Sequence, residues 1–124
     1  DVYEGQWKEG ERHGKVRAAH ANGDIYEGEW EADLKHGYGK VGYADGSNYE
    51  GEFQRGKKHG KGKYTYASGA VEIGCYEADA DVGQGVKWSA DRAQAWEVQD
   101  GQPGRSISQE EAAQIAARIG LPVP

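Results

Sequence analysis

The 124 residues contain no methionine, one cysteine, three prolines and one phenylalanine. With Cys75 alone, an internal disulfide is excluded, and a reducing compartment is the natural fit. Leu, Ile, Val and Phe together number only 16, a level that in many chains accompanies disorder and that cannot fill an ordinary layered core. No apolar run approaches the ~20 residues that span a bilayer, and no leader pattern opens the chain. The expectation is a soluble, cytoplasmic protein, cytoskeleton-associated or membrane-peripheral in its alternatives. The length suits one domain and is too short for a bilobal enzyme with a deep cleft. The opening DVYEGQW already reads as strand, which points to excision from a longer parent.

Against these absences stand 20 glycines, eight tyrosines and four tryptophans, a composition suited to a glycine-rich β structure packed by aromatic rings. The rings and glycines recur in phase. YEGQW at Tyr3, YEGEW at Tyr26 and YEGEF at Tyr49 are 23 residues apart, and EIGCY from Glu72 keeps the glycine and the final aromatic. His13, His36 and His59 follow the same interval, each with glycine after it, as do Gly39, Gly62 and Gly85, and Gly23, Gly46 and Gly69. A strict period of this kind means an array of small units.

Within a unit the period of two places Tyr26, Gly28 and Trp30 on one face of a strand and the glutamates on the other. Gly37, Gly39, Val41 and Tyr43 form a second alternating strand, and Ala44-Asp45-Gly46-Ser47 supplies the tight hairpin turn. Strand glycines leave gaps over which a neighbouring ring can lie. The predicted fold is mainly β: an elongated antiparallel meander of 23-residue β-hairpin repeats with a short C-terminal capping helix. Residues 1–85 hold three full repeats and a degenerate fourth, 86–105 an atypical terminal hairpin, and 106–124 the helix and tail. Ser108 with Glu111 reads as a capping box, Ala112, Ile115, Ala116 and Ile119 as one apolar stripe, and Gly120 as the C-cap. This helix, with Ile107, Leu121, Trp88 and Trp96, is placed to cover the last strands.

The pattern of Tyr-Glu-Gly-Glu-Trp, then Gly-x-x-His-Gly-x-Gly, then Tyr/Val-x-Tyr-Ala-Asp-Gly, resembles the MORN (membrane occupation and recognition nexus) repeat over residues 2 to 85. The resemblance implies a twisted antiparallel sheet with an aromatic-lined groove, a scaffold or binding role, and no catalysis by the repeats. Asp33 and Asp79 depart from the pattern where Gly10 and Gly56 stand in repeats one and three, and Val82 replaces the histidine.

Each chemical candidate has a plain alternative. Equivalent histidines in adjacent hairpins lie roughly 9–10 Å apart, beyond the reach of one zinc with ligands at about 2.0–2.1 Å. A structural role, bonding loop backbone or packing beside glycines, is expected for them, and no metal or cofactor. Cys75 has no predicted histidine to activate it. The in-phase glutamates are solvated strand positions available to cross-strand cations. RGKKHGKGK, from Arg55, lacks Walker spacing and leads into a strand, so it is expected to be the inter-strand loop of repeat three with extra charge. Its Lys57, Lys58, Lys61 and Lys63 form a candidate contact for anionic lipid. Nucleic acid is not expected, since the chain is acidic and the rings are needed for packing.

A one-layer sheet buries Tyr26, Trp30, Tyr43, Tyr49, Phe53, Tyr64 and Tyr66 only by curling around them or by accepting something upon them. Both alternatives stand, with Trp30 expected in the core and Tyr66, nearer the rim, as an anchor. The functional expectation is a non-catalytic scaffold or adaptor that takes a helix or extended segment of a protein partner along these rings. The alternatives are a tether to anionic phospholipid through the lysines, and a regulatory module of a larger lipid kinase or lysine methyltransferase. A weak homodimer through the unpaired N-terminal edge strand is also expected.

Overall fold

The computed structural model describes all residues 1–124. Ten strands, β1 (Val2–Lys8), β2 (Glu11–Ala19), β3 (Ile25–Glu31), β4 (Leu34–Gly42), β5 (Asn48–Gln54), β6 (Lys57–Thr65), β7 (Val71–Glu77), β8 (Ala80–Trp88), β9 (Ala95–Gln99) and β10 (Gln102–Ile107), precede one helix, α1 (Gln109–Ile119). The strands form a single antiparallel sheet in chain order, so every strand pairs only with its neighbours in sequence. The fourth hairpin runs on to Trp88, past the boundary expected at residue 85.

Two kinds of turn alternate. Strands β3 and β4 are joined by Ala32-Asp33, with φ of 49° and 66°, and β5 and β6 by Arg55-Gly56, at 52° and 82°. Positive φ at both central residues is the type I′ geometry, whose twist matches that of the flanking strands. The stretch Ala44–Ser47 is a wider connection, closed by Gly46 N–H to the Tyr43 carbonyl at 3.1 Å and Tyr43 N–H to the Ser47 carbonyl at 2.9 Å. The tight turn is therefore at the other end of each unit from where the Asp-Gly signal places it. It also shortens the lysine-rich stretch: only Arg55 and Gly56 are turn, and Lys57 to Lys63 lie in β6 instead of a loop.

Each tight turn after the first is stitched to the hairpin before it. Gly56 N–H donates to the Lys35 carbonyl at 2.9 Å. Where aspartate replaces glycine a second bond is added: Asp33 Oδ1 accepts from Arg12 N–H, and Asp79 Oδ1 from Lys58 N–H, both at 2.8 Å. Asp33 and Asp79 thus trade some strain at positive φ for a side-chain acceptor between hairpins.

Two cores occupy opposite faces. On the ring face, Val16, Ala18, Tyr26, Trp30, Val41, Tyr49, Phe53 and Tyr76 are buried together. On the helix face, Val71, Ile73, Val86, Trp88, Ala95 and Ile107 pack against Ala112, Ile115 and Ala116 of α1. The positions one repeat earlier than Val71, Ile73, Val86 and Trp88 hold Asn48, Glu50, Lys63 and Thr65. This switch from polar to apolar is what docks the helix at β7–β9 and nowhere earlier. Trp88 stands one residue out of phase with Tyr43 and Tyr66, and this slip is the same device, since it turns that ring to the helix face beside Ala95. Trp96 pairs with Lys87, between the helix-facing Ala95 and Glu97, and so faces away from the helix it was expected to meet.

The helix is capped by Ser108, whose Oγ accepts from Glu111 N–H at 3.1 Å, and by Gly120 at φ 96°. The Glu111 carboxylate turns to Arg105 at 3.0 Å, so the capping box is completed on one side only.

Candidate binding face

The tyrosine that opens repeats two and three lies back over its own strand glycines. A Cβ on Gly28 would stand 2.6 Å from the Tyr26 hydroxyl, and one on Gly39 would meet the Tyr26 ring. Gly51 and Gly62 make the same cradle for Tyr49. Each hydroxyl donates to a backbone carbonyl, Tyr26 to Glu29 at 3.0 Å and Tyr49 to Glu52 at 3.2 Å. Both residues are 0% exposed, and burial raises both hydroxyl pKa values well above the ordinary phenol range.

Between the cradled tyrosines stand the rings that end each strand motif. The row runs Trp30, Tyr26, Phe53, Tyr49, Tyr76, with successive centroids 5.5, 5.3, 5.4 and 5.3 Å apart and every pair edge-to-face. This spacing lies within the favourable range for aromatic pairs, so the row is self-supporting along the sheet. Four of the seven rings singled out from the sequence, Tyr26, Trp30, Tyr49 and Phe53, are buried in it. The other three, Tyr43, Tyr64 and Tyr66, are half-buried and adjoin one another, Tyr43 and Tyr64 at 6.1 Å and Tyr64 and Tyr66 at 4.9 Å.

Cations cover the row at the repeat interval. Arg12 lies 4.0 Å above Tyr3 and 4.5 Å from Trp30, Lys35 5.1 Å from Tyr26, and Lys58 5.4 Å from Tyr49 and 5.1 Å from Tyr76. Arg12 is also paired with Asp33 at 2.9 Å. These cation–π contacts had no signal in the sequence beyond a cation at residues 12, 35 and 58.

The fourth repeat inverts the pattern. Glu72 stands where Tyr26 and Tyr49 are, and Asp81 where Lys35 and Lys58 are. Glu72 is 4% exposed, accepts from the Tyr66 hydroxyl at 3.2 Å and pairs across the sheet with Lys87. Burial, with hydrogen bonding to Asp81 and the Asp81 charge behind it, pushes its carboxyl up to about 8. Burial, with Glu72 second, pushes the Tyr66 hydroxyl up to about 12. Sequence reading missed Glu72 because it was read as a lapse in the motif, not as a carboxylate placed in the ring row.

The four lysines of the basic stretch do not form one cluster. Lys58 pairs with Phe53 and faces the rings, whereas Lys61 and Lys63 pair with Cys75 and Ile73 on the helix face. Lys61 Nζ reaches the Gly120 carbonyl at 3.4 Å. Lys57, opposite Gln54, is on that second face as well.

The glutamates divide by position. Glu27 and Glu50 pair with Arg17 at 3.2 Å and Lys40 at 3.1 Å, as expected of solvated strand residues. Glu29 and Glu52 do something else. The register slips beside each of them, where Gly37 and Gly60 adopt φ of 78° and 72°, and their carboxylates accept from Tyr38 N–H at 3.2 Å and Lys61 N–H at 3.1 Å. The slip is a β-bulge whose freed backbone donor is capped by glutamate. The glycine after each histidine is required there, and His13, His36 and His59 are exposed strand residues; His36 contacts Glu31 at 3.5 Å. They take no part in loop bonding, because the segment that carries them is strand.

The MORN repeat family model matches residues 3–15, 26–48 and 49–71. Its first match stops just before Val16, which occupies the place of the cradle glycines Gly39 and Gly62. Comparison with curated proteins returned no match. No helix of the structure is long and apolar enough to cross a membrane. MORN repeats are a protein- and membrane-binding module and not a catalytic family. With the ring row, the glycine cradles and the 23-residue hairpin all in phase with that family's match, this is a MORN-repeat protein.

Proposed function

We propose that the chain is a scaffold that binds a segment of a partner protein across its ring face, with Tyr43, Tyr64 and Tyr66 as the contact rings. The observation that carries this is the division of the aromatics. The buried row is complete in itself, yet three adjoining tyrosines stay half-buried beside it, with only the ammonium groups of Lys58, 5.7 Å from Tyr64, and Lys87, 4.4 Å from Tyr66, over them. Tyrosine at partial burial offers a large apolar face and a polar tip, the profile of interface anchors. The separation of Lys58 from Lys57, Lys61 and Lys63 favours a protein segment over a bilayer, since a flat anionic surface would engage one face at a time.

The test is a displayed library of random peptides selected on the full chain. Binders should lose at least tenfold in affinity on Tyr64→Ala or Tyr66→Ala, with a smaller fall in melting temperature than Trp30→Ala produces. Trp30→Ala, by contrast, should cost about 3–5 kcal/mol of stability, because a fully packed ring leaves a cavity. Selected binders indifferent to both tyrosines would refute the assignment.

A further inference from the structure

On the helix face Arg17 and Lys40 each rest on a carboxylate, at 3.2 and 3.1 Å. On the ring face neither Lys35 nor Lys58 has a carboxylate within 4.0 Å; each ammonium has only rings beneath it. The same face holds the one buried side-chain donor without an acceptor, the Trp30 indole N–H. These donors, and the Lys87 ammonium 4.4 Å over Tyr66, have no acceptor within the chain. One repeat further on the sign reverses, with Asp81 in register with Lys35 and Lys58, and Glu72 behind it.

We infer that the segment accepted by the ring face is acidic where it crosses β4 and β6, and that Asp81 fixes its direction by excluding further acid at the next position of the same row. This rests on the docking role proposed above and deepens it. Equivalent positions in successive hairpins are two strand spacings apart, roughly 9.5 Å, so Lys35 and Lys58 match carboxylates separated by about that distance. In a segment of polyproline II form, with three residues per turn and a rise of about 3.1 Å each, these are every third residue and lie on one side. The rings beneath the ammonium groups hold them in place and leave their remaining N–H groups for the partner. A uniformly anionic bilayer does not fit this alternation, because it would press phosphate against Asp81 as firmly as against the lysines.

The composition of the peptides selected on the full chain tests the inference separately from the docking role. Binders that depend on Tyr64 and Tyr66 should be enriched in Glu and Asp at a spacing of three. Their affinity should fall at least tenfold on Lys35→Gln with Lys58→Gln and weaken as salt rises, and Lys57→Gln, on the opposite face, should leave it unchanged. Circular dichroism and the melting temperature show whether the double variant is folded, and Lys35→Arg with Lys58→Arg keeps the charge if it is not. Tyrosine-dependent binders without acidic enrichment, or with affinity indifferent to both lysines, would overturn the charge inference and leave the docking role standing. Absence of any tyrosine-dependent binder would overturn both. Sedimentation with phosphatidylserine-containing vesicles that the Lys35→Gln, Lys58→Gln variant loses would show that the anion is a lipid headgroup, and would overturn the acidic segment.

Discussion

At the scale of single residues, Glu72 is the position where this sequence departs furthest from its own pattern. A tyrosine there would lie over Gly74 and Gly85 as Tyr26 and Tyr49 lie over theirs. Instead a carboxyl is buried among Tyr66, Tyr76, Asp81 and Lys87, and burial raises it to about 8. The ordinary value is 4.5. Below pH 4.5 the group is protonated folded and unfolded alike, and stability does not depend on it. Between 4.5 and about 8 the unfolded chain has lost the proton and the folded chain keeps it, so this group makes stability fall as pH rises. The slope from one such group is at most about 1.4 kcal/mol per pH unit. Above 8 the cost levels off. Glu72→Gln keeps an acceptor for Tyr66 and removes the titration, so its midpoint of urea unfolding should exceed the parent's at pH 8 and match it near pH 4. A constant difference between the two proteins across that range would show that Glu72 is not held neutral.

At the scale of elements, the unit is a hairpin with a tight turn at one end, a wider turn at the other and a bulge between. The glycine at the bulge carries two burdens, positive φ and proximity to the capping glutamate. A Cβ on Gly37 would stand 2.7 Å from Glu29 Oε2, whereas one on Gly10, at a similar φ of 79°, has no neighbour within 4 Å. Gly37→Ala should therefore cost about 1–2 kcal/mol more than Gly10→Ala, the extra being the loss of the Glu29 cap on Tyr38 N–H; equal midpoints in chemical denaturation would remove the capping role. The period of 23, the strand faces, the ring cradle and the helix with Ser108 and Gly120 were all legible, because each follows from side-chain alternation, a cap or a repeated glycine. The placement of the tight turn was not. Asp45-Gly46 carries the usual I′ signal, while the turns that adopt I′ geometry include Ala32-Asp33 and Ala78-Asp79, where the stitch to the preceding hairpin outweighs local preference. Nor was the bulge legible, since its signature, a glutamate opposite His-Gly, looks locally like any solvated strand. The ring row was legible as a face, but its division into core and half-buried tyrosines depends on which glycines lie beneath each ring.

At the scale of the molecule, a meander in which each strand pairs only with its sequence neighbours, and in which ring contacts and turn stitches reach no further than the next hairpin, has no contact between distant repeats to make it melt as one body. Its stability should follow local coverage. Strand β7 is covered on both faces, by Tyr76 in the ring row and by Val71 and Ile73 against α1, and β8 and β9 share the helix. Strand β1 has the half-buried Tyr3 on one side and Trp7 54% exposed at its end, with no helix on either face. Native-state hydrogen exchange should therefore show a gradient, with the slowest amides in β7 and β8 and the fastest in β1 and β2. Ile115→Asp places a charge in the helix-face core and should detach α1. The consequence under nearest-neighbour coupling is local: protection in β7–β9 should fall by an order of magnitude or more, while β1–β3, held by Tyr26, Trp30 and the cradle glycines, should change little. If the variant instead lowered protection uniformly from β1 to β9, the sheet would be a single cooperative unit and the two cores would be energetically one, despite lying on opposite faces.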